Sequence, residues 1–268
     1  MELLNLYGEI LGFLGGNVDK LLTIDEARKI NTIFREIGVV TDFSPGYNLL
    51  IMACNRDHYE FAKYLLDHGA NPNIITKFSF PLKIAAGRGF VDIVNLLLHY
   101  DADINQISEF GISALHNACS NNNIDIVKIL INSGANVNIG IKYANTPIHV
   151  AAKYATDPQI FDMLFFHGAD IEFRDQNGKT PLISACASKN YNGVSRLISY
   201  GCDLDTQDNE GHTALMIASR NGCLKIVELL VDNECDINMR SPDGYTALDF
   251  AKMYKKSEIV EFLDPLYI

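Results

Sequence analysis

The sequence predicts an all-α repeat solenoid of stacked helix-turn-helix repeats. Two markers with one shared period predict it. The first reads NLLIMAC from Asn48, FPLKIAA from Phe80, SALHNAC from Ser113, TPIHVAA from Thr146, TPLISAC from Thr180, TALMIAS from Thr213 and TALDFAK from Thr246, at spacings of 32, 33, 33, 34, 33 and 33 residues. The second runs in phase: GANPN from Gly69, DADIN from Asp101, GANVN from Gly134, GADIE from Gly168, GCDLD from Gly201 and ECDIN from Glu234. Self-similarity at such a period is the signature of a repeat architecture.

Each repeat carries two amphipathic stretches. The first is small and apolar, of the Leu-x-x-Ala kind. The second is richer, as in IVNLLL from Ile93, IVKILI from Ile126 and IVELLV from Ile226. Their apolar spacing fits a helical period better than strict alternation. Gly, Asn and Asp between repeats favour turns. One repeat is therefore helix, tight turn, helix and projecting loop. A lone repeat cannot bury its apolar face, so neighbours stack and share a core.

The ends read as caps. Residues 1–42 are expected to form a degenerate N-terminal capping unit, with helices in 2–14 and 24–38. Six repeats follow over 43–241, and 242–268 form a C-terminal capping repeat. The last repeat carries Lys252, Lys255, Lys256 and Glu258, the polar outer face that a terminal repeat needs. In KYATDPQI (153–160), an insertion places Asp157 to cap a helix that opens with Pro158.

The period and the T-P-L-H-x-A pattern, closest in TPIHVAAK at 146–153, resemble the ankyrin repeat family over about residues 43–264. The resemblance implies β-hairpin fingers between repeats and a concave face made by the fingers and the first helices. It implies that His116 and His149 hydrogen-bond to Ser113 and Thr146 at the helix starts. It also marks Asn105, Asn138 and Asn238 as loop positions that can be hydroxylated.

Several function classes lack support. The chain has 268 residues and a net charge of −11, which argues against non-specific binding to nucleic acid or anionic membrane. The N-terminus carries Glu2 and Glu9 before its first basic residue, Lys20, the wrong polarity for a secretory or transit signal. No apolar run reaches the roughly 18 residues of a membrane span. None of the six cysteines lies in a C-x-x-C pair; Cys54, Cys119, Cys186, Cys202 and Cys235 read as small buried hydrophobes of a reducing compartment. His58, His68, His99, His167 and His212 lack metal-ligand spacing. There is no G-x-S-x-G and no P-loop, since Gly15-Gly16 is not followed by Lys-Ser/Thr. Loop Asp residues read as turn formers and caps. No enzyme activity, metal or cofactor is expected.

The surface remains. Mapped on the family pattern, the inner face of fingers and first-helix ends carries seven basic residues against three acidic ones. The candidate partner-binding residues are Tyr47, Arg56, Lys77, Phe78 and Arg88 in the early repeats. Phe110, Ile112, Tyr143, Lys153 and Tyr154 continue the set. Aromatic residues and Arg dominate binding hot spots, so an acidic or aromatic-bearing protein segment is the expected partner, with no small-molecule substrate and no membrane.

Two fingers depart from the pattern. Asn73 to Phe80 spans seven residues, and later equivalents span eight. Phe78 and Phe80 stand where Gly and Thr recur, and Ala144 replaces Gly in the 139–146 finger. Gly takes positive φ at little cost and Phe does not, so both fingers are expected to follow a different path. Phe78 either packs between fingers or is an exposed anchor; Phe80 is buried in both readings.

The leading functional reading is a monomeric, cytoplasmic, non-enzymatic protein-protein interaction module: an adaptor, regulator or inhibitor. The alternative is a bacterial or viral effector or host-range protein acting in a host cell. The Asn-rich NNNIDIVKILIN and the apolar terminus DPLYI are compatible with it. A nucleic-acid binder ranks below both.

Overall fold

The computed structural model describes residues 2–36, 48–76, 79–140 and 145–267. Among these residues it is all-helical, with no β-strand. Helices α1 (Glu2–Phe13) and α2 (Ile24–Glu36) precede seven helix pairs. These are α3 (Leu49–Asn55) with α4 (Tyr59–Asp67), α5 (Pro81–Arg88) with α6 (Val91–His99), and α7 (Ala114–Ser120) with α8 (Ile124–Asn132). There follow α9 (Pro147–Tyr154) with α10 (Pro158–Phe166), α11 (Pro181–Ala187) with α12 (Tyr191–Ser199), α13 (Ala214–Asn221) with α14 (Leu224–Asp232), and α15 (Ala247–Met253) with α16 (Ser257–Leu263). The predicted repeat solenoid is what forms. The chain comprises two compact bodies, an N-terminal one (1–118 and 132–135) and a C-terminal one (119–131 and 136–268).

The first helices are short because their starts and ends are set by chemistry. Thr180, Thr213 and Thr246 each accept a hydrogen bond from the third backbone N–H of α11, α13 and α15. Asn48 does the same for α3 at 2.9 Å. In α15 the cap is reciprocal, because Asp249 accepts from the Thr246 N–H, the arrangement of a capping box. Phe80 gives α5 no side-chain cap; its ring is fully buried instead, as expected. Along these helices Ala85, Ala86, Ala151, Ala152, Ala185, Ala218 and Ala251 are fully buried. With no side chain beyond Cβ they let neighbouring helices approach closely.

In the N-terminal body, α1 packs on α4 with the Tyr7 and Phe61 rings 4.6 Å apart. Thr23 and Glu26 open α2 with a reciprocal cap, Thr23 N–H to Glu26 Oε2 at 2.9 Å and Glu26 N–H to Thr23 Oγ1 at 3.3 Å. Asp19 accepts from the Asn71 N–H at 3.0 Å, tying the first helix pair to the first inter-repeat loop.

The inter-repeat loops share one local motif. Asn71, Asp103, Asn136, Asp170, Asp203 and Asp236 each accept, at 2.9 Å, the N–H two residues on. These Asx turns explain the periodic Asn and Asp. In the N-terminal body Asn73 Oδ1 then accepts from the Asp103 N–H at 2.6 Å. In the C-terminal body Asn138, Glu172 and Asp205 accept from Asp170, Asp203 and Asp236, all at 2.8 Å. Side chains thus stitch each loop to the next within a body.

The buried cysteines follow expectation: Cys54, Cys119, Cys186, Cys202 and Cys235 are buried, and Cys223 is half-buried. Burial pushes the Cys202 and Cys235 thiols up to about 12, with nearby carboxylates adding to the shift. Among the described residues no helix is long and apolar enough to cross a membrane.

Candidate functional site: fingers and first-helix ends

The regular fingers are tight turns, each closed by two main-chain hydrogen bonds. Ser108, Asp175, Asp208 and Ser241 donate their N–H to the carbonyls of Ile112, Lys179, His212 and Tyr245, at 3.1, 3.0, 3.0 and 2.9 Å. The chain reverses through Gly111, Gly178, Gly211 and Gly244, all at positive φ between 73° and 85°. These turns have the hairpin path that the resemblance implies, without a strand ladder. The shortened finger closes differently: the Thr76 N–H reaches the Ser79 carbonyl at 2.9 Å, a bridge one residue shorter. That is the structural form of the missing residue.

In the N-terminal body, Phe110 at a finger tip is 61% exposed, while Ile112 beside it is half-buried. Arg56 and Arg88 are exposed at the ends of α3 and α5, where Arg88 Nε donates to Asn55 Oδ1 at 3.2 Å. His116 accepts at Nδ1 from the Ser113 N–H, 3.2 Å away, and lies 2.8 Å from Ser113 Oγ, which is the predicted pairing.

In the C-terminal body, the finger before α11 packs on α9. His149 Nε2 lies 3.0 Å from the Lys179 carbonyl, and its Nδ1 lies 2.8 Å from Thr146 Oγ1. A carbonyl only accepts, so Nε2 carries the proton and Nδ1 receives the Thr146 hydroxyl. Burial holds His149 below the ordinary histidine range; the Lys179 carbonyl and the Asp175 charge oppose that shift. Lys153 is half-buried and donates to Asn145 Oδ1 at 2.8 Å. Burial lowers its pKa, Asp175 opposes, and Lys179 adds to the lowering. Tyr154 next to it is 60% exposed.

Lys153 and Tyr154 also line a cleft of about 290 Å³, together with Lys189 and Tyr191. Tyr47, Lys77, Phe78, Tyr143 and Ala144 lie outside the described residues. One exposed ring was not anticipated. Phe166, at the end of α10, is 76% exposed. The aligned positions hold Asp67, His99, Asn132, Ser199 and Asp232, so an apolar residue in a polar column was the available signal.

The insertion after α9 is built as expected. Asp157 accepts from the Gln159 N–H at 2.8 Å and α10 opens on Pro158. Asn122 Oδ1 receives the Thr156 and Asp157 N–H groups at 2.7 and 3.2 Å. Asn138, one of the loop asparagines named above, is fully engaged, since its Nδ2 donates to the Gly168 carbonyl at 2.7 Å while its Oδ1 accepts from Asp170.

A family model described as ankyrin repeats matches three times, at residues 18–108, 82–175 and 148–241. The ankyrin repeat protein FPV031 of Fowlpox virus (strain NVSL) is 36% identical over 180 residues, 62% of this chain and 52% of that one. The human ankyrin repeat and SOCS box protein 16 is 30% identical over 148 residues, 55% of this chain and 32% of that one. The chain therefore spans about half or less of these two relatives. The crystal structure of the human ASB11 ankyrin repeat domain matches with a TM-score of 0.71 at 25% identity, covering 79% of this chain and 97% of that domain.

Proposed function

The chain belongs to the ankyrin repeat family, whose domains are generally protein-protein interaction modules, and we propose that it is a non-enzymatic adaptor, regulator or inhibitor acting on a partner protein. The observation that carries this reading is Phe110. A large apolar ring, 61% exposed, stands at the tip of a finger held by main-chain bonds and a glycine turn. Such a ring on a rigid support is the kind of anchor that dominates a binding surface at little ordering cost.

The proposed set of binding residues, each body taken by itself, is Arg56, Arg88, Phe110 and Ile112 in the N-terminal body, and Lys153 and Tyr154 in the C-terminal body. Tyr47, Lys77, Phe78 and Tyr143 belong to it by repeat position. Its partner is an acidic or aromatic-bearing protein segment, bound by a monomer in the cytoplasm. Affinity capture from lysate with mass spectrometry tests this, with wild type beside Arg88→Glu/Phe110→Ala/Tyr143→Ala and matched circular dichroism and melting. A partner held by wild type and lost by the variant supports the surface. A partner held equally by both moves the site elsewhere.

A second reading is supported by the fowlpox relative: a host-range protein of a large virus, using the same residues on a host protein. Genome context separates the two. A nucleic-acid partner ranks lower, and salt-dependent retention on nucleic acid is its test.

A further inference from the structure

Within the C-terminal body, the turns that join α9 to α10, α11 to α12, α13 to α14 and α15 to α16, taken with the helix residues that flank them, cover 153–158, 187–191, 220–224 and 252–257. They are bonded into one row. Asn190 Nδ2 donates to the Ala155 carbonyl at 2.7 Å, and Asn192 Nδ2 to the Thr156 carbonyl at 2.8 Å. Asn221 Nδ2 reaches the Ala187 carbonyl at 3.3 Å. The Lys256 side chain runs against Gly222, where an added Cβ would sit 3.0 Å from its Cδ.

The row is cationic and aromatic. It carries Lys153, Lys189, Arg220, Lys252, Lys255 and Lys256, and its one carboxylate, Asp157, caps α10. Lys252 is paired with Asp264 at 2.7 Å. Among the described residues no carboxylate pairs with Lys189, Arg220, Lys255 or Lys256. Tyr154, Tyr191 and Tyr254 are 60%, 45% and 48% exposed along it. The loops at the other ends of these helices, 168–175, 201–210 and 234–243, hold three, four and three carboxylates. Charge is separated across the body.

Two of the lysines occupy an unfavourable backbone. Lys189 and Lys255 have φ of 60° and 56° at the turn position where this body also has Asn122 and Gly222. Asn and Gly are the residues that visit this region readily. Lysine there is strained, and no ion pair of its own offsets the strain. Retained strain of this kind points from structure to function.

We propose that this row is a docking surface for an extended, acidic segment of a partner protein, with carboxylates on the lysines and intervening residues against the tyrosines. The proposal rests on the protein-binding reading above and names the chemistry of the partner. The spacing suits an extended peptide. Packed helices lie about 8–10 Å apart, and three residues of polyproline II advance about 9 Å. A carboxylate at every third residue therefore meets one repeat after another. The chain's net charge of −11 disfavours a nucleic-acid strand as the occupant.

The test is fluorescence anisotropy on the full chain with a labelled (Glu-Pro-Pro)5 peptide at low salt, beside a peptide of the same composition with its glutamates contiguous. The expected result is saturable binding of the periodic peptide, at least tenfold weaker for Lys189→Glu/Lys256→Glu and severalfold weaker for Lys189→Gly/Lys255→Gly. The glycine variant is expected to melt higher than wild type, which a purely structural role for these lysines does not predict. Absence of binding, equal binding by wild type and variants, or equal binding of both peptides overturns the proposal. Tighter binding to oligo(dT) or to phosphatidylserine vesicles overturns it in favour of those partners. If the peptide fails but Arg88→Glu/Phe110→Ala still strips a captured partner, the row is wrong and the protein-binding reading stands. If no partner is captured either, both fall.

Discussion

His149 holds the finger of the following repeat: its Nε2–H donates to the Lys179 carbonyl across 3.0 Å while its Nδ1 accepts from Thr146. One buried ring thus joins a helix start to the next turn. Replacing it with alanine removes both bonds and leaves the Lys179 carbonyl only its bond from the Asp175 N–H. The expected cost is about 1–3 kcal/mol, read as a lower urea midpoint.

The same ring sets a pH dependence. Burial depresses the His149 pKa below 6.5, its value in the unfolded chain. Neutral His149 therefore contributes its full stability above that pH. The contribution is lost as pH falls through the folded value, because the unfolded chain takes up the proton first. The Asp175 charge narrows the shift and the Lys153 charge widens it. Thermal midpoints at pH 7.5 and 5.0 are expected to fall with pH in wild type, and to fall less in His149→Gln.

Gly193 lies inside α12, where alanine is intrinsically better by about 1 kcal/mol. Here a Cβ would stand 2.9 Å from Cζ of the fully buried Phe161. Overpacking a tight core costs about 1–3 kcal/mol, so packing wins. Gly193→Ala is expected to lower the urea midpoint.

Phe80→Thr restores the residue found at most other helix starts. A cap gains about 1 kcal/mol, whereas emptying a buried Phe site costs about 3–5 kcal/mol. The consensus substitution is therefore expected to destabilise, and differential scanning calorimetry settles the sign.

Asn190 caps α12 through Oδ1, with the Gly193 N–H at 3.1 Å, and clamps the 155–157 insertion through Nδ2. Asn190→Ala is expected to cost about 2 kcal/mol in all, from a lost cap and an exposed carbonyl. Hydrogen exchange is expected to speed up first at the amide groups of 155–157.

Much of this was legible because the repeat imposes one local problem many times. The Asx turns at Asn71 and its counterparts, the Thr caps and the shortened first finger were all readable from residue spacing. The burial of Phe80 followed because an aromatic ring in place of a capping hydroxyl has no other use beside a helix start. The basic turn row was harder to see. Lys189 and Lys255 are ordinary residues in sequence, and their strain exists only once the turn places them at positive φ. Tyr191 and Lys189 join Lys153 and Tyr154 only through stacking, which no single repeat encodes. Phe166 needed a comparison down a column rather than along the chain.

The most direct measurement is lysine-reactive crosslinking of the full chain with its captured partner, mapped by mass spectrometry. Partner crosslinks are expected at Lys153, Lys189 and Lys255 or Lys256, lost when excess (Glu-Pro-Pro)5 is present. Crosslinks confined to Lys63, Lys128 and Lys225, on the second helices α4, α8 and α14, would contradict that expectation.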